Sequence, residues 1–134
     1  MTTYSIAEAA QVLAVSDDTV RRWVEAGRLP AAREGGRTRV AGTDLARLAE
    51  DLTREASTDE RDRTRSHAVS ARNRMSGIVT HVKTDTVMAQ VEMVCGPYRV
   101  VSLLSADAVT ELGLEPGVRA IASVKSTNVV LELP

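Results

Sequence analysis

The apolar positions of this chain change their period once, just past its middle. Up to Leu52 they recur three and four residues apart: Ile6, Ala9, Ala10 and Leu13, then Val20, Trp23 and Val24, then Leu45, Leu48, Ala49 and Leu52. That spacing predicts three short amphipathic helices, with Trp23 facing the core. Local signals punctuate them. Ser5, with Glu8 three residues on, makes a capping box for the first helix, and the pattern breaks at Ala14-Val15. Ser16 caps the second helix, Asp17 and Asp18 sit in its first turn where acids suit the dipole, and Gly27 ends it. Thr43 or Asp44 is the expected cap of the third. Between the second and third helices, Arg33 to Val40 reads as a hairpin turning at Gly35-Gly36, because paired glycines supply the positive φ angles of a tight hairpin.

From Gly77 onward the period is two. Gly77–Val82, Val87–Val94, Tyr98–Leu104, Val118–Val124 and Val129–Leu133 predict five strands, with turns at Asp85-Thr86, Gly96-Pro97 and Pro116-Gly117. Ser105 can cap a short helix that runs to Leu112 and closes at Gly113. Two short helices joined by a tight turn form a helix-turn-helix pattern. Five strands with one short helix before the fourth match a small OB-like barrel. The expected class is therefore α+β in two domains: residues 1–54 with a winged helix-turn-helix, and residues 70–134 with a five-stranded OB-like β-barrel carrying one short helix. Residues 55–69, almost devoid of large apolar side chains, form a polar, charged linker or a solvated extension of the third helix.

Composition sharpens this picture. Apolar residues make up 43% of the 134 and aromatics 2%, with no Phe, so the cores must be built from Val, Leu, Ile, Ala and Met. A domain of about 65 residues buries only ~60% of its unfolded surface, so two such domains gain from oligomerisation. No leader pattern and no apolar run of membrane length is present, and Cys95 is the only cysteine, which leads to a cytoplasmic expectation. The net charge of −1 conceals an asymmetry. Residues 21–39 hold six arginines against two acids, and residues 41–62 hold seven acids against three arginines. A basic block beside an acidic one is a local footprint for a polyanion.

The candidate chemistry is that of binding. No paired carboxylates, nucleophile–base pair or phosphate loop stands out, so an enzyme with a catalytic cofactor is not expected. His67 and His81 lack any metal-ligand spacing, Cys95 has no arranged partner, and Met88 and Met93 read as core or edge filler. Ser70-Ala71-Arg72-Asn73 and Lys125-Ser126-Thr127 instead supply hydroxyls, backbone N–H groups and two cations, an inventory suited to holding a tetrahedral oxyanion.

The first half, over residues 3–52, resembles the winged helix-turn-helix of the MerR and excisionase-like regulators. The carrying residues are Tyr4 to Ala10, Val15 to Trp23, Ala26-Gly27-Arg28-Leu29-Pro30 and the Gly-Gly-Arg-Thr-Arg hairpin. The resemblance implies that the second helix enters the major groove of an operator and the hairpin acts as a wing. The implied DNA-contacting residues are Ser16, Asp18, Thr19, Arg21, Arg22, Arg37, Thr38 and Arg39. Arginine suits either guanine edges or phosphate.

The second half, from Ser70 to Pro134, resembles the molybdate-binding Mop (molbindin, TOBE-type) domain. It does so through Ser70 to Asn73, Ser102-Leu103-Leu104-Ser105, Glu111 to Leu114 with Pro116-Gly117, and Val124 to Thr127. That resemblance implies dimers or hexamers with shared strands and molybdate or tungstate held between subunits. The implied contacts are Ser70, Ala71, Arg72, Lys125 and Ser126, with Ser105 coming from a neighbouring subunit. Val101 departs from relatives that carry a hydroxyl residue there. Together the two resemblances imply a molybdate- or tungstate-responsive transcriptional regulator. A molybdate-storage oligomer and a ligand-independent architectural DNA binder are the alternatives.

Overall fold

The computed structural model describes residues 2–56 and 72–134, and the backbone alone at Arg72. The chain divides into two compact units, Met1–Glu60 and Arg61–Pro134.

In the first unit, strand β1 (Thr3–Ser5) leads into α1 (Ile6–Leu13), α2 (Asp17–Glu25), the hairpin β2 (Ala32–Glu34) and β3 (Arg37–Ala41), and α3 (Gly42–Ala56). The capping box is formed reciprocally. Glu8 N–H donates to Ser5 Oγ at 3.1 Å, and Ser5 N–H donates to Glu8 Oε2 at 2.8 Å. Helix α1 ends where Ala14 adopts a left-handed conformation (φ 56°), unusual for a residue with a Cβ. Gly35 and Gly36, both with positive φ, form the two-residue turn that pairs Glu34 with Arg37. The core joins Ala9 and Ala10 of α1, Val20 of α2, Leu29, Val40 of β3, and Leu45 and Leu48 of α3, with Trp23 half-buried against them. Full burial of side chains such as Val20, Leu29 and Val40 contributes about 1.5–3 kcal/mol each.

Two expectations need correction here. The third helix begins at Gly42, before Thr43 and Asp44, because Gly42 N–H is taken by Thr2 O at 2.9 Å as β3 passes straight into the helix. Strand β1 was not expected at all. Its three residues pair with Thr3 opposite Ala41, and it completes a sheet of order β1-β3-β2. Helix α3 also reaches Ala56, the start of the segment expected as a linker or as an extension of this helix. The rest of that segment lies outside the described residues.

The second unit contains β4 (Arg72–Thr84), β5 (Met88–Cys95), β6 (Tyr98–Ser105), α4 (Ala106–Leu112) and β7 (Arg119–Lys125), followed by a 3₁₀ turn at Ser126–Asn128. The sheet is antiparallel, in the order β6-β5-β4-β7. Asp85 fastens the β4–β5 turn by accepting from Val87 N–H at 2.8 Å and Met88 N–H at 2.7 Å, and these two backbone donors, Met88 first, hold its carboxyl below the usual range. A bulge between Val79 and His81 bends β4. There Val79 bonds back to the loop before β7, donating to Val118 O and accepting from Gly117 N–H, each at 2.9 Å. The sheet curls in the OB-like manner, so that Val100 and Leu104 of β6 face the same cleft as Ala120 and Val124 of β7. Val79, Ala89, Val91 and Val109 form its small core.

The described residues contain four strands in this unit, not five. Val129–Leu133 has the alternating pattern of a strand but no ladder, and Leu131 and Leu133 are 91% and 96% exposed. Period two records which face a side chain would take. A strand also needs a ladder, and among the described residues this segment pairs with neither outer strand, β6 or β7.

Gly77 sits where β4 passes closest to β5. A Cβ there would lie 2.2 Å from Val94 O and 2.7 Å from Cys95 Sγ. Gly77→Ala is expected to destabilise this unit by about 2–3 kcal/mol, an overpacking cost against backbone that cannot move aside, measured by urea unfolding followed by circular dichroism.

Candidate functional site

The first candidate surface is the exposed half of α2 with the β2–β3 hairpin. Ser16 caps α2 by accepting from Thr19 N–H at 3.2 Å, and its hydroxyl lies 2.9 Å from Thr19 Oγ1. That same Thr19 oxygen accepts from Arg22 Nη2 at 3.2 Å, while Arg21 Nη1 donates to Asp18 at 3.1 Å. Helical spacing of three residues produces both contacts. Ser16, Thr19 and Arg22 thus form one bonded group and Asp18 and Arg21 a second, at the start of the same helix.

The hairpin arginines divide. Arg37 is exposed beside the turn, next to half-buried Thr38. Arg39 is drawn inward instead. Its guanidinium donates to Thr3 Oγ1 at 3.0 Å and Thr3 O at 3.3 Å, and approaches Glu8 at 4.0 Å. It ties β3 to β1 and to the capping box, so of the two wing arginines expected at the DNA, Arg37 is exposed and Arg39 is engaged within the unit. Sequence reasoning missed Thr3 because β1 is too short to leave a periodic signal. It also missed Arg28, which reaches Glu55 near the end of α3 and lies 5.9 Å above the Trp23 ring.

The second candidate surface is built by β4 and β7. Their register sets Arg72 opposite Lys125 and Asn73 opposite Val124. Asn73 Nδ2 also donates to Val124 O at 3.3 Å. Two motifs about fifty residues apart in sequence thus meet across one ladder, with Ser126 opening the 3₁₀ turn just beyond. Ser70 and Ala71 lie outside the described residues.

Ser105 does not join this group within the chain. It ends β6, opposite Met88, and caps α4 by accepting from Ala108 N–H at 3.1 Å. Ala89, next to Met88, pairs with Thr84. Ser105 is therefore aligned in register with the Thr84 end of β4, and Lys125 with the Arg72 end.

On the outer sheet face Arg99 bonds Glu92. This bond holds the Glu92 carboxyl below the usual carboxylate range against the opposing effect of burial. Among the described residues no cluster of His, Cys, Asp and Glu could hold a metal ion, and no helix is long and apolar enough to cross a membrane. Arg39→Ala is expected to lower the stability of the first unit by about 1 kcal/mol through its lost bonds to Thr3, read as a lower thermal midpoint.

Residues 3–53 match the helix-turn-helix domain model, and residues 69–131 match that of the TOBE domain. Molybdenum-pterin-binding protein 2 of Clostridium pasteurianum is 38% identical over 65 residues, 48% of this chain and 96% of its own length. The molybdate-binding protein of Sporomusa ovata is 31% identical, covers 48% of this chain and 97% of its own, and superposes with a TM-score of 0.47. The cytoplasmic molybdate-binding protein ModG, solved with molybdate bound, is 39% identical over 49% of this chain and 48% of its own, with a TM-score of 0.47.

Proposed function

The chain belongs to the molybdenum-pterin-binding (Mop) family, with a helix-turn-helix domain ahead of its TOBE domain, and we propose that it is a transcriptional regulator whose DNA binding responds to molybdate or tungstate. The observation that carries this reading is the fusion itself: a helix-turn-helix and a TOBE domain share one chain. Residues 1–54 would be the DNA-binding domain, 55–69 the connection, and 70–134 the oxyanion-binding domain.

The β4–β7 ladder supports the pocket. A tetrahedral dianion requires donors from several sides and compensating cations. Ser70, Ala71 and Arg72 at the strand entry would face Lys125 and Ser126 at the strand exit, with Lys125 offsetting charge and the hydroxyls and N–H groups taking oxygens. Ser105, which pairs with Met88 and not with this ladder, would come to such an anion from a second copy. The exposed Val129–Leu133 segment and a cleft of about 460 Å³ lined by Met93, Val100, Leu104, Leu112 and Ile121 support a homo-oligomer, a dimer or hexamer, because patches of this kind are normally covered.

In the DNA-binding domain, the exposed α2 network would enter the major groove, with Arg37 and Thr38 of the wing on the backbone. One head contacts few phosphates and binds weakly at cellular salt, so two heads must act together. The anion, by bridging copies, would set the spacing between heads. Coupling requires it to favour the DNA-competent arrangement.

The decisive measurement is anisotropy of a labelled duplex, selected from a random pool, titrated with protein with and without saturating molybdate. A change in affinity of about five-fold or more is expected, the lower end of ordinary allosteric coupling. Unchanged affinity overturns sensing, and molybdate binding without any DNA affinity favours a storage oligomer. The double substitution Lys125→Ala, Ser126→Ala is expected to weaken molybdate binding at least ten-fold by calorimetry, about 1.4 kcal/mol, with the circular dichroism spectrum unchanged.

A further inference from the structure

Arg21 and Arg22 are neighbours on α2 but hold different partners. Arg22 bonds the neutral Thr19 hydroxyl, whereas Arg21 bonds the Asp18 carboxylate. Over Asp17–Arg22 the helix carries two acids and two arginines. The net basic stretch of this unit therefore lies in the loop and hairpin that follow, in Arg28, Arg33, Arg37 and Arg39 against Glu34.

We infer that Asp18 is a specificity-determining, positioning residue that restrains Arg21 from phosphate and presents it to base edges. The inference rests on the DNA-binding reading of α2. Asp18 and Arg21 are 87% and 56% exposed in their side chains, so both are free to meet a ligand. The bond occupies one guanidinium nitrogen, Nη1, at 3.1 Å, leaving Nη2 and Nε to donate. A guanine edge presents two acceptors, O6 and N7, and carries no charge, so Arg21 can bind it while still bonded to Asp18. A cytosine amino group beside it even offers Asp18 a donor of its own. A phosphate brings a negative charge to the same guanidinium, where the carboxylate repels it. Asp18 thus tolerates base contact and opposes backbone contact. Arg22, lacking such a carboxylate, is left as the phosphate-competent member of the pair.

The test compares full-length wild-type protein with Asp18→Asn on two probes, a random-sequence 30-base-pair duplex and a duplex selected from that pool. Expected for Asp18→Asn is about three- to ten-fold tighter binding to the random duplex at ~0.1 M salt, with the log affinity–log salt slope steeper by about one unit. The selected-to-random affinity ratio should fall in step. Arg21→Ala should abolish these effects when combined with Asp18→Asn, because the carboxylate acts through that guanidinium. An unchanged slope and ratio overturn the inference, as does a full Asp18→Asn effect in the Arg21→Ala background. Failure of wild-type protein to bind either duplex overturns the DNA-binding reading and this inference with it, and so is distinguishable from a failure of this inference alone.

Discussion

The second unit depends on the two hydrogen-bonded edges of strand β4. Along its first half β4 pairs with β7, from Arg72 to Ile78, and along its second half with β5, from Ile78 to Thr84. The two ladders overlap at Ile78, beside Gly77, whose missing Cβ admits the Val94 carbonyl. The offset, together with the bulge at Val79–His81, turns a flat arrangement into a curled one. The same antiparallel register carries Arg72 to Lys125. The candidate oxyanion pocket is thus a consequence of strand pairing. No local property of either motif could have produced it.

In the first unit the corresponding constraint is the capping box. Ser5 and Glu8 satisfy each other's backbone donors at the start of α1, and Arg39 reaches the same corner from β3 through Thr3 and Glu8. A wing is useful only if its direction is fixed. Here that direction is set by an arginine engaged within the unit, which leaves Arg33 and Arg37 as the exposed cations of the hairpin. The proposed recognition helix follows a different rule. Its polar side chains satisfy one another at a spacing of three, so their orientation depends on the helix alone.

The second unit has a small core and leaves several large apolar side chains open. Tyr98, Leu103, Leu112, Val130, Leu131 and Leu133 are all more than half exposed. An unpaired, alternating apolar segment at the C-terminus and an open apolar cleft are complementary needs. Under the proposed function, association of copies would satisfy both, and would also bring Ser105 of one copy toward the Arg72–Lys125 end of another. Oligomerisation and anion binding would then be two consequences of one contact.

Much of the fold was legible in the residues themselves. Three helices, the Gly35-Gly36 turn, the Ser5, Ser16 and Ser105 caps and four of the five strands follow from period, capping and turn chemistry, which act between residues a few positions apart. Three features did not follow. Strand β1 is too short to show a period, α3 starts early because Gly42 finds Thr2 O across the sheet, and Val129–Leu133 has a strand's pattern without a neighbour. At the candidate sites, the sequence alone marked out the residue types: serines, arginines and a lysine in short motifs. Tertiary structure decided which of them meet. It opposed Arg72 to Lys125, aligned Ser105 with the far end of the sheet and turned Arg39 inward to Thr3. Periodicity and capping are short-range and need only the neighbouring residues. Register, edges and the choice of an arginine's partner depend on atoms that arrive from elsewhere in the chain.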